Sequence, residues 1–179
     1  MKALIVSLLV CFFAGCLQKP WDRPYLAREG EPAPQLILDN LLNAPITELK
    51  NIDELKGKAV VLEFWATWSA PSVENIPHLN ALTEKFSGKP VVFISVTDES
   101  EASVEAFLKY KPIKGWVATG AYAWTLRSFR VEARPHTVLL DKELNVVALT
   151  SPSEVTAEKI SALIAGVPES SPTFTVDGK

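Results

Sequence analysis

The sequence predicts a layered α/β domain in which helices flank a central mixed β-sheet, with a short strand added on its N-terminal side. Three observations lead there. The runs at 59–66 (AVVLEFWA) and 90–98 (PVVFISVTD) are largely apolar and rich in β-branched residues, as strands covered on both faces are. Between them, Val73, Ile76, Leu79, Leu82 and Phe86 recur at steps of three or four, which makes one face of a helix. Further on, 136–141 (HTVLLD) and 144–150 (LNVVALT) form a strand pair around Lys142 and Glu143. Buried strands that alternate with helices and end in a strand pair belong to one mixed sheet.

The elements follow in order. The chain begins with a lysine and an apolar run from Ala3 to Ala14, too short to span a membrane comfortably and suited to the core of a signal peptide. Phe13-Ala14-Gly15-Cys16 resembles the bacterial lipobox, which implies cleavage before Cys16 and acylation of that cysteine. Residues 1–15 are therefore read as a lipoprotein signal peptide. Residues 16–34, with four prolines and six charges from 17 onward, are expected to be an extended membrane tether. The domain is expected over 35–166. It opens with a short strand in PQLILDN (34–40), then a turn and a short helical piece in ITELKNIDELKGK (46–58). The helix at 70–86 contains Pro77, which should kink it rather than end it. After the second strand come a helix at 99–110 with Val104, Phe107 and Leu108 inward, a short strand at 115–119, and a short helix at 121–129. A closing helix lies within 153–166, with Ser153 as its cap, and residues 167–179 read as a loose tail.

Composition narrows the function classes. A chain of 179 residues with 47% hydrophobic and 22% charged residues supports one folded domain rather than wholesale disorder. Its net charge of −3 gives no electrostatic case for nucleic acid. The two histidines are far apart and both cysteines, Cys11 and Cys16, lie in the leader, so no familiar metal-ligand spacing can be assembled. No metal and no cofactor are expected.

The stretch with chemical content is VVLEFWATWSAPSVENIPHL, residues 60–79, where a buried strand runs through two tryptophans into a helix. Phe64-Trp65-Ala66-Thr67-Trp68, Pro71, Pro77, and Arg134-Pro135 with Asp141 beyond resemble the thioredoxin fold. The closer resemblance is to membrane-tethered extracytoplasmic thiol-disulfide oxidoreductases of the TlpA/ResA kind, across roughly residues 33–166. The resemblance implies that Ser69 stands where the attacking cysteine would be and Ser72 where the resolving one would be. It places a cis-proline at Pro135 and a buried proton-transferring acid at Glu63. It also implies that a partner's extended chain pairs beside Arg134, against a wall made by Trp68, Ala70 and Pro71. Both cysteines are serines here, and disulfide exchange requires a thiolate and a second sulfur.

The residues therefore lead to a redox-inactive, lipid-anchored protein of the bacterial cell envelope that keeps a cleft for an extracytoplasmic protein or peptide. One alternative is an oxidoreductase lineage whose active cysteines have been lost or engineered out. A second is a serine-dependent hydrolase assembled from Ser69 or Ser72, His136 and Glu63, although strand alternation should turn His136 away. Structurally, Ser69 is expected to cap the helix by accepting from the Ser72 amide, and Pro71 suits the first turn. Glu63, with no thiol to serve, is expected to bond Ser72 or a water. His78 reads as a partly exposed helix side chain. Tyr122 and Trp124 fit either the packing of a short helix or the rim of the cleft.

Overall fold

A computed structural model of the protein describes residues 25–166. Six strands form one sheet: β1 (Asn40–Leu42), β2 (Ala59–Phe64), β3 (Val91–Val96), β4 (Trp116–Thr119), β5 (His136–Leu140) and β6 (Val146–Thr150). Their order across the sheet is β1-β4-β3-β2-β5-β6. Strands β2, β3 and β4 run parallel, while β1, β5 and β6 pair antiparallel to their neighbours. The helices are α1 (Ala70–Lys85), α2 (Glu101–Leu108), α3 (Ala123–Ser128) and α4 (Ala157–Ala165). This is the mixed, helix-flanked sheet that the alternation predicts.

Every residue of β2 is buried, because alternate side chains enter two different cores. Ala59 and Val61 join Phe93 and Leu139 beneath Leu82 of α1, Phe86 directly after it, and Ile160 and Leu163 of α4. Val60, Leu62 and Phe64 face the other way, with Phe129 and the N-terminal Leu36, Leu38 and Leu49. A third cluster gathers Trp65, Ile76, Val104, Ile113 and Val117 beside α2. Fully burying a side chain of the Val, Leu or Phe class contributes about 1.5–3 kcal/mol, so these layers fix the register that carries the site.

Several local expectations shift. The first strand is Asn40–Leu42, at the end of the predicted run, and Leu38 makes a separate bridge to Leu49. The helical piece is a 3-10 turn, Ile52–Leu55, held by a reciprocal cap between Asn51 and Glu54. Helix α1 continues through Pro77. The cap of α4 is Thr156, whose hydroxyl accepts from the Lys159 amide at 3.3 Å, and not Ser153, which lies in a preceding 3-10 turn (Pro152–Glu154).

The expected tether is corrected at its C-terminal end, where residues 27–33 belong to the domain; residues 16–24 lie outside the described residues. Within it, residues 27–33 pack along β6: the Gly30 amide donates to the Val146 carbonyl and the Ala33 amide to the Leu144 carbonyl, both at 2.8 Å. The Ala27 amide donates to the Ser128 carbonyl at 2.7 Å, and Ala27 and Ala33 are fully buried. Proline and charge made this segment look solvated, but an edge strand exposes unpaired backbone groups that a neighbouring segment can cover. The signal peptide, Cys11, Cys16 and the C-terminal tail lie outside the described residues. No helix among the described residues is long and apolar enough to cross a membrane.

Candidate functional site

The site forms where β2 hands over to α1. Ser69 occupies the position before the first helical residue, with extended backbone, and Pro71 sits in the first turn, where a missing N–H leaves no helical partner unmet. Both serines are buried. The Ser72 hydroxyl donates to Ser69 Oγ at 3.0 Å, and Ser69 Oγ donates to the Arg134 carbonyl at 3.1 Å. The expected cap bond from Ser69 to the helix amides does not form. The Ser69 oxygen instead accepts from the Ser72 hydroxyl while its proton goes across the cleft to the Arg134 carbonyl.

Arg134-Pro135 is a cis peptide and faces the helix start, as the resemblance implies. One lone pair of the Arg134 carbonyl is used by Ser69, so this acceptor is not fully open to a partner, although a carbonyl oxygen can accept a second bond. The Arg134 guanidinium stacks over the Trp68 ring, 5.6 Å from its centroid, and Nη2 lies 2.8 Å from Asp98 Oδ2. Trp68 is 69% exposed, which suits a wall of a cleft and not a core residue. Beside this wall a groove of about 560 Å³ runs along α3, lined by Trp68, Leu126, Arg127, Arg130, Val131 and Arg134 among others.

Glu63 lies on the α1 face of β2, directly opposite Thr137 of β5 in the antiparallel register. It is only 4% exposed. Burial pushes its carboxyl from 4.5 up to about 8, against the Thr137 hydroxyl, which donates to Oε2 and pulls the other way. A cavity of about 10 Å³, enough for one water, is lined by both Glu63 and Ser72. The expected bond from Glu63 to Ser72 is therefore replaced by one to Thr137, because Ser72 is already committed to Ser69.

The hydrolase arrangement does not assemble. His136 is paired with Phe64, one residue along from the Glu63–Thr137 pair, and so points to the opposite face of the sheet. Its ring packs on Phe64, and Nε2 lies 3.1 Å from the Phe129 carbonyl. Burial lowers its basicity, the reverse of what a general base for serine needs. His78 is exposed on α1 and its Nε2 lies 2.8 Å from the Val155 carbonyl. Tyr122 and Trp124 are partly exposed and stacked on one another, and Tyr122 donates to Asp39. Neither lines the groove. Among the described residues no group of three potential metal ligands occurs.

Two residues that sequence reasoning passed over hold the walls in place. Asp98 pins Arg134. Glu99 accepts from the Thr67 amide at 2.7 Å and the Thr67 hydroxyl at 2.6 Å, and so fixes the turn that presents Trp68. Their only sequence signal is a pair of acids just past a buried strand, the end of a parallel sheet where ligand-facing loops gather.

The redoxin family model matches residues 28–164, most of the chain. The chain belongs to the redoxin family. Among curated relatives, the thiol-disulfide oxidoreductase ResA of Bacillus cereus strain ZK is 35% identical over 119 residues, 66% of each chain. ResA of another strain, ATCC 10987, is 33% identical over 152 residues, covering 82% of this chain and 86% of the relative. A crystal structure from Chlorobium tepidum, described as a candidate thiol:disulfide interchange protein DsbE, superposes with a TM-score of 0.67 at 23% identity. It covers 77% of this chain and 99% of its own, and supports the thioredoxin-like fold. This redoxin thus keeps its family's frame around two hydroxyls.

Proposed function

We propose that this redoxin is a lipid-anchored protein of the bacterial cell envelope whose thiol chemistry is absent and whose cleft binds an extended segment of an extracytoplasmic protein. The observation that carries the reading is the bond chain from Ser72 to Ser69 to the Arg134 carbonyl. Hydroxyls stand on the helix start that faces the cis-proline, and no cysteine follows Cys16. Thiol exchange proceeds by thiolate attack, a mixed disulfide and a resolving sulfur; a hydroxyl supplies none of these. Recognition is different in kind. Backbone pairing beside Arg134 and contact with Trp68 require no sulfur.

The test is a pair of activity measurements. With a dithiol as reductant, wild type should reduce a disulfide substrate only at the background rate. The double change Ser69→Cys with Ser72→Cys should gain reduction, with the thiol at position 69 titrating below its free value of about 8.5, because a helix N-terminus favours the thiolate. Ser69→Cys alone should accumulate mixed disulfides. Reduction by wild type would overturn the redox-silent reading, and a folded, inert double variant would show that the site has changed beyond its two serines.

A further inference from the structure

The groove beside Trp68 has a charge character that the cleft reading does not require. The chain as a whole is acidic, at −3. The groove, in contrast, brings together Arg127, Arg130 and Arg134 against a single lining carboxylate, Glu132. Arg134 is balanced by Asp98. Arg127 and Arg130 are exposed, and neither has a carboxylate within ion-pair distance among the described residues. Helix α3 ends immediately after Ser128, and Arg130 adopts a left-handed backbone with φ of 58°, so the chain turns there. The turn keeps Arg130 on the groove that Arg127 reaches from the last turn of α3. Leu126, Val131 and Trp68 supply apolar lining to the same groove.

We infer that this groove selects an extended peptide segment whose carboxylates alternate with apolar side chains. In an extended strand, successive side chains point to opposite sides, so alternate residues place apolar groups on the apolar lining and acids toward the arginine rim. The guanidinium fork is suited to a planar carboxylate, and two arginines on one rim can pair with two acids of the bound strand. A concave groove of about 560 Å³ beside a backbone edge fits a strand better than the flat surface of a membrane. The inference rests on the cleft reading proposed above and names the chemistry of its partner.

The experiment uses the full chain in detergent and three fluorescein-labelled octapeptides: valine alternating with glutamate, with glutamine, or with lysine. At low salt the glutamate peptide should bind about tenfold more tightly than the glutamine peptide, as two exposed arginine–carboxylate pairs would give. The advantage should shrink with added salt. Arg127→Glu with Arg130→Glu should invert the preference toward lysine. Arg127→Gln alone, an exposed helix position with little bearing on folding, should move it part of the way. Equal binding of the glutamate and glutamine peptides, lost with Trp68→Ala, would overturn the acid selection and leave the cleft reading standing. Binding of none of the three would overturn both. Displacement of the glutamate peptide by dihexanoyl phosphatidylglycerol below its micelle concentration, at matching concentrations, would reassign the arginine rim to a lipid headgroup and overturn the peptide inference.

Discussion

Replacing Glu63 with glutamine should remove most of the domain's stability loss at alkaline pH. The carboxyl titrates near 4.5 in the unfolded chain and at about 8 in the folded one, where burial disfavours its charge. Between those values the native state holds a proton that the unfolded state has released. Stability must therefore fall as pH rises through the window, and it levels off above about 8. Each pH unit costs up to about 1.4 kcal/mol, so the whole window is worth roughly 4–5 kcal/mol as an upper figure. Glutamine keeps the shape and an oxygen to accept from Thr137, but has nothing to ionise. Urea unfolding of both proteins in steps from about pH 5 to about pH 9 gives the difference directly. The variant should lie close to wild type, or slightly below it, at the acid end and well above it at the alkaline end. Parallel curves, separated by a constant amount, would mean that Glu63 ionises as in water, and the argument from burial would fail.

Two further outcomes follow from the same geometry. Glu99→Ala removes both bonds to Thr67 and should cost about 1.5–3 kcal/mol in urea unfolding, with a shift in Trp68 emission, whereas Glu99→Gln should lose less; unchanged emission and stability would show that the turn holds itself. Cys16→Ala should leave the protein in the soluble envelope fraction or unprocessed with its leader attached, since acyl chains anchor by about 0.8 kcal/mol per buried methylene; a wild type cleaved elsewhere, with a free amino terminus, would remove the lipid anchor.

Much of the frame was legible because it rests on periodicities that only a few structures satisfy. The unbroken apolar runs at β2 and β3 and the stepped face of α1 left little alternative to a helix-covered sheet. Ser69, Ser72 and Pro135 were locatable through the family resemblance, which implies their places at the start of α1 and just before β5. What stayed hidden depends on register and on which of several partners a group takes. Thr137 is an ordinary strand residue until β5 is aligned antiparallel to β2 and sets it opposite Glu63. The Ser69 hydroxyl had two acceptable roles, a helix cap and a cross-cleft donor, and only the position of the Arg134 carbonyl decides between them. Residues 29–33 read as solvated for a related reason: composition reports what a segment would do alone in water, and these residues lie against the edge of β6.

Several interactions that hold the site's shape do not pass through Ser69 and Ser72. Glu63 and Thr137 join β2 to β5, Glu99 holds the turn before α1, and Asp98 holds the arginine beside the cis-proline. Each is complete without sulfur. Removing the buried acid outright, by contrast, would leave the Thr137 hydroxyl without its acceptor in a dry environment, at a cost of about 1–3 kcal/mol. Glu63 therefore has a structural role that does not depend on proton transfer, and its presence alone does not argue for catalysis. The same separation explains why two serines can occupy the motif without disturbing it. Their own bond chain closes the gap between α1 and Arg134, a link of the kind a partner's backbone would otherwise make. On the proposed reading a partner would share the Arg134 carbonyl with Ser69, leaving most of its affinity to the Trp68 wall and the arginine-lined groove.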